Sequence, residues 1–347
     1  MAGPFRAGGY QPGDSLGTEV GAGPERALES EPETALAPSR RETDPAAPGE
    51  TADRPRRTGE RSGSSPCVAI GIDWGATLAK VAVRRPAAPT EYLLFPCAEP
   101  HARTRVLSEL EALSRAEPAL VGVTGGGAER LARRLAGAVP VNEFAAWGAG
   151  AAAMLDASAG DPMPRYLLVS LGTGTSVLLV DGMSVMRVGG TALGGGTLLG
   201  LSAGLIGTSD FERITDLARR GSRRCIDLLV SDLYPAGGIP LAGDLTASNF
   251  ARLAPRLQAG EHVADADVAH ALMGLLGENV ALICAGLAAA SQVRHIVFAG
   301  STLHANDALV RILGDITRAL GRDPIFLPNG HYAGALGALL LAHPATA

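Results

Sequence analysis

The sequence predicts a two-lobed α/β protein behind a disordered N-terminal extension. Three observations carry this reading. An apolar strand, a Gly/Thr turn and a return strand occupy Gly71–Lys80, and the same unit recurs about 100 residues later around Leu171–Ser176. Strand hairpins are interleaved with apolar helical segments over the rest of the chain, the pattern of an α/β architecture in two lobes.

Residues 1–65 are rich in Pro, Gly, Glu and Arg, with few and unspaced large apolar side chains. Such a segment buries too little surface to offset its ordering entropy, so disorder is expected. Its arginine cluster (Arg54, Arg56, Arg57, Arg61) reads as a solvated linker or an interaction tail. The first lobe, residues 66–160, opens at Cys67 with an apolar run that ends at Asp73, and Lys80-Val-Ala-Val returns after the turn. Leu93-Leu-Phe adds a candidate strand, and Arg105–Leu113 has the apolar spacing of an amphipathic helix. Leu120-Val-Gly-Val-Thr then leads into Gly125-Gly-Gly.

In the second lobe, residues 161–347, Tyr166–Leu171 and Val177–Val180 flank the second turn. Asp181-Gly182 signals a hairpin into Val185–Val188. A glycine-rich loop, Gly189–Gly200, enters a helix near Leu198. A long apolar helix at about Val268–Ala290, a strand at His295–Ala299, and a closing helix from about Tyr332 complete the order.

Composition removes several function classes. Hydrophobic residues make up 46% of the chain and aromatics only 4%, so the core is built from Ala, Leu, Val and Ile. A net charge of −5 argues against a nucleic-acid partner held through phosphates. Lys80 is the one lysine among 30 basic residues; the arginine excess reflects coding composition and carries no functional meaning. Four scattered cysteines without a CxxC spacing read as reduced thiols of a cytoplasmic protein. No apolar run approaches the roughly 20 residues of a membrane span. The N-terminus lacks the apolar stretch of a secretory signal.

The two turns carry the chemistry. A backbone that closes on phosphate oxygens needs small residues, supplied by Gly75 and Ala76, while Thr77 adds a hydroxyl. Asp73, at the strand end, can hold a water of Mg²⁺ facing the phosphates. Gly172-Thr173-Gly174-Thr175-Ser176 offers a second phosphate hairpin. There is no GxxxxGK[ST], and a dinucleotide-binding fold fits poorly because these turns join hairpin strands. Two phosphate hairpins closing on a nucleotide are the design of the sugar kinase, heat-shock protein and actin superfamily, the actin-like ATPase (ribonuclease H-like) fold.

Several segments in order narrow the likeness: Asp73-Trp-Gly-Ala-Thr-Leu-Ala-Lys, Val123-Thr-Gly-Gly-Gly-Ala, Val141-Asn-Glu-Phe, Arg187-Val-Gly-Gly-Thr-Ala-Leu-Gly-Gly-Gly-Thr, Asp227-Leu-Leu-Val-Ser-Asp-Leu-Tyr, Phe298-Ala-Gly-Ser and Gly330-His-Tyr-Ala-Gly-Ala-Leu-Gly. Across residues 68–342 the chain resembles type II pantothenate kinase, the eukaryotic-type enzyme. The resemblance implies phosphorylation of pantothenate by ATP with Mg²⁺. It assigns Glu143 as general base and Arg187 to charge stabilisation, beside Asp73 as the candidate metal residue read from the turn itself. It further implies nucleotide contacts at Gly75, Ala76, Thr77, Leu78, Lys80, Thr173, Gly174 and Ser176. Gly195, Gly196, Thr197, Leu198 and Leu199 match a helix start on which the nucleotide rests, and Phe211 and Ser301 match the adenosine side. It implies a homodimer through the long apolar helix, with neither nucleic acid nor membrane as partner.

One position departs from the family. Ala76 stands where glycine is usual, and the turn stays unstrained only if its φ is negative. The bulky Trp74 beside it must face the other way. Bland alternatives remain at this stage: Glu143 capping a helix, Arg187 paired with a surface carboxylate, Lys80 merely ending a strand. A sugar or amino-sugar kinase of the same fold, or a nucleotide-binding regulator that has lost catalysis, also fits the turns.

Overall fold

The computed structural model describes residues 68–97, 100–116, 119–159, 163–235 and 243–342. The tail expected to be disordered, its arginine cluster and Cys67 lie outside these residues.

The chain begins with β1 (Val68–Trp74), β2 (Leu78–Arg84), β3 (Glu91–Pro96), α1 (Pro100–Ala116), β4 (Ala119–Thr124), α2 (Ala128–Ala132) and β5 (Ala138–Pro140). Their strands form one sheet in the order β3-β2-β1-β4-β5. After α3 (Glu143–Ala159) come β6 (Arg165–Leu171), β7 (Thr175–Asp181) and β8 (Ser184–Thr191), then α4 (Gly195–Ile206) and α5 (Phe211–Arg220). A small ladder of β9 (Leu228–Leu229) and β10 (Thr246–Ser248) carries α6 (Val230–Leu233) and precedes α7 (Leu253–Gln258). The long α8 (Asp265–Ala290), β11 (His295–Ala299), α9 (Asp307–Ala319), β12 (Asp323–Phe326) and α10 (Ala333–Ala342) end the described fold.

The second sheet has the order β12-β11-β6-β7-β8. In each sheet the first three strands form an antiparallel meander, and two further strands add in parallel beside the first. The lobes therefore repeat one topology, and each Gly/Thr turn leaves the end of the equivalent strand, β1 or β6. Those central strands are buried over most of their length, which explains their continuous apolar runs.

Helices α3 and α10 join the lobes. Helix α3 packs Trp147, Ala151 and Leu155 with Tyr166, Leu168 and Val297 of the second sheet. Helix α10 lies on the first sheet, where Ala335 and Leu339 meet Ala82. The lobe boundary expected at 160/161 falls between α3 and β6, while the helix packing crosses it. The helix assigned to the first lobe serves the core of the second, and the last helix returns to the first.

The two helices cross in backbone contact. A methyl at Gly337 would lie 1.7 Å from the Ala146 carbonyl oxygen, and one at Gly150 would lie 1.9 Å from that of Ala333. Glycine is required at both positions for closeness of approach. Because α10 is covered by α3 on one side and the sheet on the other, it is apolar all round.

Helix α8 also corrects an expectation. It is long and apolar enough to cross a bilayer, and 67% of its most apolar window is buried inside the fold. That burial makes it a core helix, packed against α5, α9 and α4.

Gly337→Ala is expected to lower the unfolding free energy by about 1–3 kcal/mol, the usual range for overpacking. Gly200→Ala in α4, where a methyl meets nothing within 4 Å, should instead add up to about 1 kcal/mol. Urea denaturation of the two variants checks both signs.

Candidate active site

The first turn is tight: the Gly75 N–H donates to the Leu78 carbonyl at 3.1 Å. Asp73 and Lys80 are cross-strand partners on β1 and β2. Lys80 Nζ sits 3.2 Å from Asp73 Oδ2, and both side chains are buried. Lys80 therefore does more than end a strand. Ala76 is not among the residues with positive φ, so the alanine introduces no backbone strain. Trp74 is buried beneath the turn against Gly127, leaving the cleft side clear.

The second turn is closed by the Gly172 N–H donating to the Gly174 carbonyl at 2.9 Å. Helix α4 braces it. The Gly195 N–H donates to the Gly172 carbonyl at 2.8 Å, and the Gly196 N–H to that of Thr173 at 2.9 Å. The Thr302 hydroxyl donates to the Gly172 carbonyl as well, at 2.8 Å. This revises the role expected for the helix start, since its first two N–H groups hold the turn and are not free for an anion. Thr197 and Leu198 do not face the cleft. The Thr197 hydroxyl turns back to the Ala192 carbonyl at 3.1 Å, and Leu198 is buried in the core.

Glu143 opens α3, but Asn142 caps it. Asn142 Oδ1 accepts the N–H groups of Phe144 and Ala145, both at 3.1 Å. The carboxylate of Glu143 is thereby left for the cleft. Loss of water around it raises its pKa above the ordinary 4.5; the negative charge of Asp73 adds to the rise and Lys80 opposes it. The residue is still open on its solvent side.

Arg187 comes from β8 beside a bulge, where the pairing with β7 shifts between Val177 and Leu178. Its guanidinium lies over Gly190, which has φ of 155° and no room for a side chain. Arg187 is exposed and makes no ion pair among the described residues.

These groups meet in one cleft of about 430 Å³ between the turns. Asp73, Lys80, Glu143 and Arg187 line it, as do Gly75, Ala76, Thr77 and Leu78 of the first turn. Thr173, Gly174, Ser176 and Ser301 form the opposite side. An adjoining cavity of about 580 Å³ is lined by Gly195, Gly196, Leu199 and Phe211, and shares Thr77, Leu78 and Ser301 with the cleft. His331 lies buried on its wall next to His304; burial, His304 and Lys80 lower its pKa to about 4, so it is neutral.

Sequence reasoning gave no role to Gly125, Gly126, Trp147, Ser170 or Thr191, all of which line the cleft. Trp147 was reachable, because it lies one helical turn after Glu143 and shares its face. The others depend on tertiary placement.

Two repeated sheets with a phosphate-sized turn from each define the class as an actin-like ATPase fold. Solved structures agree on that fold. Component A of (R)-2-hydroxyglutaryl-CoA dehydratase from Acidaminococcus fermentans is 19% identical, with a TM-score of 0.54 over 80% of this chain and 98% of that one. A ROK family glucokinase from Streptomyces griseus, in complex with glucose and AMPPNP, is 15% identical, with a TM-score of 0.51 over 80% and 99%. Sequence relatives are more specific. Type II pantothenate kinase of Bacillus cereus is 34% identical over 79% of this chain and 98% of its own. That of Staphylococcus saprophyticus is 31% identical over 78% and 99%. The family model described as Fumble matches residues 147–341. The chain belongs to the type II pantothenate kinase family.

The charges around Glu143 predict how it titrates. Asp73→Asn removes the like charge and should lower the Glu143 pKa; Lys80→Met removes the opposing one and should raise it further. Carboxyl-selective NMR titration of Glu143 in each variant reads the two opposite shifts.

Proposed function

We propose that the protein transfers the γ-phosphoryl group of ATP to the primary hydroxyl of pantothenate. The product is 4′-phosphopantothenate, the first intermediate of coenzyme A biosynthesis. The observation that carries this is the convergence of Glu143 and Arg187, from α3 and β8, on the cleft between the two phosphate turns. The membership of the chain in the pantothenate kinase family supports the choice of acceptor.

Glu143 takes the hydroxyl proton, and its raised pKa makes it a better proton acceptor than an ordinary glutamate. The hydroxyl oxygen bonds to the γ-phosphorus as the bond to the β,γ-bridging oxygen breaks, and ADP leaves. Arg187, which makes no ion pair among the described residues, offsets charge on the transferring group. Backbone and hydroxyl groups of Thr77, Thr173 and Ser176 hold the phosphates in line. The adenosine lies in the adjoining cavity against Leu199 and Phe211.

Among the described residues no cluster of three His, Cys, Asp or Glu side chains is placed to hold a metal. Mg²⁺ suits this site as an ion that keeps its waters and arrives with the nucleotide. Asp73, which lines the cleft, would hold it through the ion's water shell. The ion supplies neutralisation of the β- and γ-phosphate charge. A cytoplasmic location suits an enzyme that consumes ATP, and the free thiols of Cys97, Cys225 and Cys284 agree with it.

A homodimer is part of the proposal. Leu282 on α8 and Leu201 and Leu205 on the adjacent α4 are exposed. They give an apolar surface that a second copy would cover. Leu282→Glu with Leu205→Glu should convert the dimer to monomer in sedimentation velocity.

Glu143→Gln should reduce turnover by roughly 10²-fold or more while ATP still binds. The assay is ADP release with pantothenate, with N-acetylglucosamine and without acceptor. Turnover with the sugar alone would point to a sugar kinase, and ATP binding without acceptor-dependent turnover to a regulator. Wild-type-like turnover in Glu143→Gln would remove it from the base role.

A further inference from the structure

The first phosphate turn turns its carbonyls to one side, where three consecutive ones are tied down. Cys97 Sγ donates to the Gly75 carbonyl at 3.7 Å, Arg103 donates to that of Ala76 at 3.1 Å, and the Cys97 N–H donates to that of Thr77 at 2.8 Å. We propose that Arg103, assisted by Cys97, is a positioning residue that fixes this turn in the orientation that accepts phosphate. The inference rests on the reading of the cleft as an ATP site.

The physical link is the planar trans peptide, in which a carbonyl and the following N–H point in opposite directions. Holding the Gly75 and Ala76 carbonyls towards Cys97 and Arg103 sends the N–H groups of Ala76 and Thr77 the other way. Both residues line the cleft. Were either peptide to flip, a carbonyl oxygen would face the phosphates in place of a donor. A short turn beginning at glycine is prone to that flip, since Gly75 imposes little restraint of its own.

Arg103 is itself held. Its guanidinium lies 5.9 Å from the centre of the Trp74 ring, a cation–π distance, and Trp74 is wedged against Gly127. Its helix α1 is anchored by the buried Val106 and Leu110. Among the described residues Arg103 Nε is buried with no hydrogen-bond partner, so the guanidinium is partly desolvated where it bonds the turn. Burial raises the Cys97 pKa and outweighs the lowering pull of the Arg103 charge and hydrogen bond, so the thiol keeps the proton it donates to Gly75. Neither residue lines the cleft, so both act through the turn.

The test compares the full chain with Arg103→Met, Arg103→Lys and Cys97→Ala. Calorimetry gives the Kd for Mg²⁺-AMPPNP, steady-state kinetics give KM and kcat, and thermal melting gives Tm. Arg103→Met should raise the AMPPNP Kd and the KM for ATP about tenfold, the scale of one hydrogen bond from a charged donor. The KM for pantothenate and the Tm should stay near those of the parent. Arg103→Lys, which keeps a cationic donor, should recover most of the loss. If Arg103→Met does not fold, Cys97→Ala must show a rise in AMPPNP Kd, smaller than about tenfold, with the pantothenate KM unchanged and only the small Tm loss of a truncated core thiol. An unchanged AMPPNP Kd in Arg103→Met, or equal losses in ATP affinity, pantothenate KM and Tm, would overturn the proposal. A parent that binds AMPPNP but ignores pantothenate refutes the proposed acceptor alone, and the Arg103 effect is still read from Kd. A parent that does not bind AMPPNP overturns both.

Discussion

Helix α3 can bring Glu143 to the cleft only because its backbone meets that of α10 with no side chains between them. Gly150 and Gly337 make the contact possible, each facing a carbonyl of the other helix. Contact at this distance leaves little freedom to slide, since the Cβ of any larger residue would run into a backbone carbonyl of the other helix. On its outer sides the helix pair is bonded to both lobes, α10 to the first sheet and α3 to the second. The relative setting of the two phosphate turns is therefore inherited from one crossing. Gly334, on the same helix, lies against Asp73 and Trp147, so the crossing also limits the space beside the buried carboxylate.

Within that frame the charges are arranged economically. A buried Asp73 alone would be costly, and its pairing with Lys80 leaves the site near neutral before substrate arrives. Glu143 feels both, one raising and one lowering its proton affinity. Asn142 has an equally simple part. By taking over the helix cap it frees the next residue, which a different local sequence would have held to backbone N–H groups.

Much of this was legible in the sequence because it depends on short-range pattern. The strand–turn–strand units announce themselves through glycine and threonine between apolar runs, and both lie where expected. The Asp181-Gly182 signal was displaced by one residue, the connecting pair being Gly182 and Met183 between β7 and β8. Whether Ala76 is strained could not be read from its identity, because φ is set by the neighbours that hold the turn. The side-chain directions of Leu198 and Thr197 were hidden for a related reason: a helix start has several faces, and only packing decides which face meets the cleft. The exchange of α3 and α10 between lobes was hidden as well. Helical periodicity says which side of a helix is apolar, not which sheet will cover it.

The return of α10 to the first sheet has a consequence for biogenesis. Strands β1, β2 and β4 leave the ribosome early, yet the helix that covers them is among the last structured segments made. Until Ala335 and Leu339 arrive, the first sheet keeps an open apolar face, and contacts spanning more than 250 residues must form to close it. Nascent chains are thus left waiting with a surface suited to chaperone capture. A chain that stops short of α10 lacks both the cover of one lobe and the clamp between the two.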